Sequence, residues 1–215
     1  MNTKFISIDF QKDFCDPNGL EYIDGDCIAF VHDVLIPFFR GNKIIVNEII
    51  SDYRDPRPHN DDSYKNNGKF CIPGTIGYES VIPADIVNPE RWIKCMHGPL
   101  WTRENIGNAN LPAGRPYQDP LAFGKWLEKS IGPIEENFQT NIVLFGLAMD
   151  DCLRCLAQEL HDRGYKNIKA LYEATDIGVA PRDQDLKRAT VLTMRQFCEP
   201  IRFTTLQKDL EKEIY

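Results

Sequence analysis

Cys152 has the most informative setting of any reactive side chain in the 215-residue sequence. In FGLAMDDCLRCLAQEL an apolar, strand-type run turns through Gly146 to Ala148 and delivers this cysteine into the first turn of a helix. Free N–H groups and the positive end of the helix dipole at that place favour a thiolate, the nucleophilic form, and the same N–H groups can receive an oxyanion. A cysteine at a helix start is also commonly a small buried apolar residue, so Cys152 alone decides little. Cys152 and Cys155 form a Cys-x-x-Cys pair, the spacing of thiol–disulfide oxidoreductases. Redox folds of that kind place the pair after an early strand, usually behind an aromatic, whereas here it comes late and behind Asp151. No paired Cys or His ligands show the spacing of a zinc site.

Strand-type runs recur at 4–9, 43–50, 91–95, 141–148, 168–174 and 200–204. They look like buried strands. Helical periodicity covers 27–40, 119–130 with Asp119 and Pro120 as cap and first-turn residues, 150–161 with Gly164 as its stop, and about 184–197. Alternation of this kind predicts one α/β domain over 1–215, Rossmann-like, with a mainly parallel six-stranded sheet and helices on both faces. Ligands bind beyond the carboxyl ends of such strands. Asp9 ends the first run, Asp52 follows the second, Lys94 ends the third and Cys152 follows the fourth, which predicts convergence at one sheet edge. The stretches 51–90 and 95–118, rich in Pro, Gly, Asn and Asp, are expected to be functional loops over it.

Bulk properties narrow the partners. A formal charge of -7 and the lack of any Lys/Arg cluster argue against nucleic acid. The apolar start is cut by Asp9, Lys12 and Asp13, unlike a signal peptide, and no run approaches the roughly 20 apolar residues of a membrane span. A cytoplasmic protein that engages no membrane is expected. Seven cysteines, an odd count without export signals, read as reduced thiols.

FISIDFQKDF, Lys94 after the third strand, and GLAMDDCL occur in an order that resembles the isochorismatase-like cysteine hydrolases, most of all the nicotinamidases. DCIAFVHDVLIPFF after GLEYIDGD, and CIPGTIGYES at 71–80, extend the resemblance over nearly the whole chain. It implies an amidohydrolase acting on a small non-peptide amide through a thioester, with Cys152 as nucleophile, Asp9 as its base and Lys94 as the third member of a triad. It further implies an oxyanion hole from the N–H groups of Ala148 and Cys152, a cis peptide between Leu147 and Ala148, and a substrate-facing aromatic at Phe14. Trp101 is a candidate for the same pocket.

The sequence departs from that pattern where nicotinamidases hold a divalent metal, through an Asp-x-His pair after the second strand and a further histidine before a Cys-x-x-Gly-Thr loop. Asp52 is kept, but Arg54 and Phe70 stand at the other two places. Arginine stays protonated and is no metal donor. His59 and His97 have no spacing that replaces those ligands. No metal and no cofactor are therefore expected. Arg54 is expected either to hold a carboxylate or other polar acceptor of the substrate, or to pair with Asp52 or Asp55. The alternatives are a metal-dependent nicotinamidase making nicotinate and ammonia, and a non-catalytic binding protein on the same fold. The family often forms homo-oligomers; no sequence feature marks an interface.

Overall fold

The computed structural model describes residues 2–54 and 69–214. Its strands are β1 (Asn2–Ile8), β2 (Val46–Ser51), β3 (Trp92–Lys94), β4 (Trp101–Arg103), β5 (Pro116–Gln118), β6 (Thr140–Leu147), β7 (Ile168–Asp176) and β8 (Glu199–Ile201). The α-helices are α1 (Lys12–Cys15), α2 (Asp26–Phe30), α3 (Ile36–Gly41), α4 (Pro120–Ile131), α5 (Cys152–Asp162), α6 (Gln184–Met194) and α7 (Phe203–Ile214). Six strands form one parallel sheet in the order β3-β2-β1-β6-β7-β8. β4 and β5 make a separate antiparallel pair.

The sheet is buried on both faces, and its side chains alternate between two cores. Phe5, Val143, Phe145 and Leu171 pack with Phe39 and Phe203. Ile6, Ile142 and Leu144 pack with Phe123, Leu127, Leu156 and Leu160 of α4 and α5 on the other side. Strand order reverses between β1 and β6, and at such a switch point the diverging crossovers leave a crevice. Gly146 brings the two strands together there: at φ +129, a Cβ on it would stand 2.1 Å from the Ile8 carbonyl oxygen.

Four differences from the sequence reading have physical causes. The expected helix 27–40 is interrupted by a π-helical turn, Val31–Leu35, in which the Ile36 N–H reaches back to the Val31 carbonyl. The interruption adjoins Pro37, which has no N–H to continue an i→i−4 ladder. The helix expected to reach residue 197 ends at Met194, whose carbonyl takes the N–H groups of Phe197 and Cys198. Part of the expected strand at 200–204 belongs instead to α7, whose Phe203, Leu206 and Leu210 pack on the sheet. Within 95–118, expected to be loop, lies the β4–β5 hairpin. No described helix is long and apolar enough to cross a membrane.

Candidate active site

Asp9 follows β1, with its N–H bonded to the Ile49 carbonyl at 2.9 Å and its backbone at φ +58, a conformation that aspartate tolerates better than most residues. Lys94 closes β3, and its carbonyl takes the Asp52 N–H at 2.8 Å. Cys152 opens α5. All three are buried, and they meet at the β1/β6 switch point. Lys94 Nζ stands 2.8 Å from Asp9 Oδ2 and 3.4 Å from Cys152 Sγ, and donates to Ser51 Oγ at 2.7 Å and Tyr53 Oη at 2.6 Å. Ser51 Oγ in turn donates to Asp9 Oδ1 at 2.7 Å. The Asp9 carboxylate is thus held by Lys94 and Ser51 and lies within hydrogen-bond reach of the Cys152 thiol, whose proton it can take.

Burial by itself would drive the Lys94 ammonium to lose its proton, but Asp9 first, then Cys152 and Tyr53, outweigh that and hold its pKa well above the usual lysine value. The lysine is a fixed cation. Burial also pushes the Cys152 thiol well above its ordinary value; Lys94 opposes this, while Asp9 and Asp151 add to it. Burial thus works against the thiolate that the helix dipole favours. A dipole contributes about 1 kcal/mol, less than the desolvation of a fully buried sulfur. The thiol needs a proton acceptor as it attacks, and the Asp9 carboxylate is beside it.

α5 begins where the Leu147–Ala148 peptide is cis. The Ala148 carbonyl takes the N–H groups of Asp151 and Leu153, and the Met149 N–H goes to the Asp176 carbonyl. The N–H groups of Ala148 and Cys152 are not drawn into these bonds, and both residues border a cavity of about 400 Å³ that opens over the sulfur. Phe14, Tyr53, Phe70 and Leu147 form its apolar wall, and Glu21, His97, Asp150 and Asp151 its polar one. Phe14 meets Phe70 edge to face at 5.3 Å.

Two expected substrate contacts are corrected. The Arg54 guanidinium grips Asp52, from Nε at 2.9 and 3.1 Å and from Nη2 at 2.6 Å. Its remaining donors go to the carbonyls of Asn105, Asn108 and Leu111. It ties the end of β2 to a distant loop and does not border the cavity. Trp101 is held in the β4–β5 hairpin opposite Gln118, its carbonyl taking the Cys95 N–H, and it too stands away from the cavity.

The metal positions do not fit a metal. Asp52 is fully engaged by Arg54 and the Gly107 N–H, and Phe70 offers a ring where a donor is required. His97 borders the cavity but is paired with Asp151. His59 and Asp55 lie outside the described residues. Among the described residues, no three His, Cys, Asp or Glu side chains are grouped to hold an ion.

Sequence reasoning missed Ser51, Tyr53 and Glu21. The first two carried a signal: flanking Asp52 at the end of β2, they share one face by the strand period of two, and that face meets Lys94.

No protein-family model and no curated protein matches the chain. Solved structures do. A cysteine hydrolase from Pseudomonas syringae pv. phaseolicola 1448A aligns with TM-score 0.68 at 17% identity, covering 98% of this chain and 93% of that one. An isochorismatase-like hydrolase from Alkaliphilus metalliredigens aligns with TM-score 0.62 at 14% identity, over 98% and 99% of the two chains. The pyrazinamidase of Pyrococcus horikoshii, solved in complex with zinc, aligns with TM-score 0.60 at 18% identity, over 94% and 100%. What these likenesses establish is the architecture: the chain has the fold shared by isochorismatase-like hydrolases.

Proposed function

We propose that the chain hydrolyses a small non-peptide amide through a thioester on Cys152. The observation that carries this is the contact of a buried thiol, a carboxylate and a fixed ammonium directly beneath a cavity. As Sγ attacks the carbonyl carbon, Asp9 takes the thiol proton, and Lys94 offsets the negative charge gathered around it. The carbonyl oxygen, now an oxyanion, is received by the N–H groups of Ala148 and Cys152. Collapse breaks the C–N bond, and Asp9 returns the proton to the departing nitrogen. Water then enters, gives a proton to Asp9 and attacks the thioester; the sulfur leaves, recovers that proton, and a carboxylic acid is released. Protein groups supply every role, so no step runs through a metal.

A panel of small amides, nicotinamide and pyrazinamide included, assayed for ammonia release with and without chelator, tests the reading. The expected result is release from at least one amide, indifferent to chelator and abolished in Cys152→Ala. Stoichiometric zinc or iron with activity lost on its removal would favour a metal-dependent nicotinamidase. Absence of turnover across the panel would favour a binding protein.

A further inference from the structure

We infer that the buried ion pair of Asp176 and Lys187 is a positioning device for the acyl-transfer step. It fixes the end of β7, and through it the backbone loop whose Ala148 and Cys152 N–H groups receive the oxyanion. The inference rests on the amidase reading for the reaction it serves. Both side chains are buried, Asp176 at 1% exposure and Lys187 at 5%, and neither is among the described residues that border the cavity. Burying an ion pair gains little stability over well-packed apolar residues, so stability alone does not account for it.

The sheet ladder alone does not set the end of β7. Leu144 of β6 faces Ala170 but Gly146 faces Thr175, so two steps along β6 correspond to five along β7 just before the site. An irregularity of that size breaks the ladder. β8 supports β7 at Lys169 to Leu171, and beyond those residues Asp176 supplies an anchor of another kind. Its Oδ1 takes Lys187 Nζ of α6 at 2.5 Å, and its Oδ2 takes the Cys27 N–H of α2 at 2.8 Å. The approach is so close that a Cβ on Gly25 would stand 2.3 Å from Oδ2. The same residue faces Leu147 in the sheet, and its carbonyl takes the Met149 N–H. Its neighbours hold the loop on either side: Thr175 Oγ1 donates to the Gly146 carbonyl at 2.6 Å, and the Gly178 N–H to Asp150 Oδ1 at 2.7 Å. A carboxylate locked by two helices thus pins the backbone that carries both oxyanion donors.

The deciding variant is Asp176→Asn/Lys187→Met, which buries no charge and keeps an amide oxygen for the Cys27 N–H. Gly25→Ala, which crowds Oδ2 without altering charge, is the second and should act in the same direction. Hydrogen exchange at the Met149 amide, followed by NMR, needs no substrate. It should quicken by on the order of 10-fold or more relative to Val143 and Leu144 in the middle of β6. An unchanged ratio would overturn the inference. For an amide that the parent hydrolyses, kcat per folded molecule should fall by on the order of 10- to 100-fold with KM within about 3-fold. Iodoacetamide labelling of Cys152, which passes through no oxyanion, should stay within about 3-fold of the parent. Lower stability with kcat per folded molecule unchanged would reduce the pair to a structural role and overturn the inference, as would equal losses in kcat and labelling. Faster Met149 exchange in the variants of a parent that turns over no amide would contradict the amidase reading and leave the loop anchor standing.

Discussion

Replacing Lys94 with Met removes the cation that the Asp9 carboxylate faces. The two side chains are 0% and 1% exposed and lie 2.8 Å apart. At that separation the attraction is about 6 kcal/mol for an effective dielectric of about 20, much of it offset by the desolvation of both ions on folding. Removing one partner is a different matter from never having had the pair, because the survivor stays charged and buried. The expected cost is about 3 to 5 kcal/mol, or about 6 to 20 °C in Tm for a chain of this size. Asp9→Asn leaves Lys94 buried with only the neutral Ser51 and Tyr53 and the Cys152 thiol as neighbours, and should cost a similar amount. The double variant buries neither charge, so its loss should be smaller than the sum of the single losses by about 2 kcal/mol or more. Urea unfolding of the four proteins, with matched m-values, measures this coupling. Additive losses, or a Lys94→Met protein within about 1 kcal/mol of the parent, would refute the claim that this ammonium exists to hold the Asp9 charge.

Arg54→Met should act on stability rather than on substrate binding. It strands the fully buried Asp52 and should cost about 3 kcal/mol or more by urea unfolding, while KM for a neutral amide stays put; a large rise in KM with stability intact would restore Arg54 to the substrate. Asp9→Asn should abolish turnover yet lower the pKa of Cys152, since the Asp9 charge helps push that thiol up. The pH dependence of iodoacetamide labelling reads this shift directly, and an unmoved or raised pKa would count against the charge coupling. Six buried thiols, Cys15, Cys27, Cys71, Cys95, Cys152 and Cys198, are held above their ordinary 9.0, Cys198 at about 12. Above about pH 9 the unfolded chain sheds these protons while the folded chain keeps them, so stability should fall by about 1.4 kcal/mol per pH unit for each such thiol. Denaturant midpoints in reducing buffer that stay flat from about pH 8 to about pH 10 would contradict that burial.

The sheet was readable because its strands are buried on both faces: NIVLFGLA and KFISID are dominated by apolar residues, and chemistry-bearing residues stand where the strands end. Asp9, Lys94 and Cys152 could be placed at one sheet edge for that reason. Short elements gave no such signal. The three-residue strands β4 and β5 depend on pairing with each other, a contact that no local periodicity records. Arg54 was open to two readings because its partners include the carbonyls of Asn105, Asn108 and Leu111, about fifty residues onward. The environment of the Cys152 thiol was only half legible for a related reason. The helix start is local and visible in sequence, whereas the burial that works against it comes from packing distant in sequence, with Tyr53 3.8 Å from the sulfur.

The central claim is that Cys152 carries the acyl group. Intact-protein mass spectrometry of enzyme quenched in acid during turnover of the best amide tests it most directly. The account predicts a mass increase equal to the substrate's acyl group, mapped to Cys152, released by neutral hydroxylamine and absent from Cys152→Ala, which should also form no product. Turnover that persists in Cys152→Ala, or an acyl adduct mapped to another residue, would contradict it.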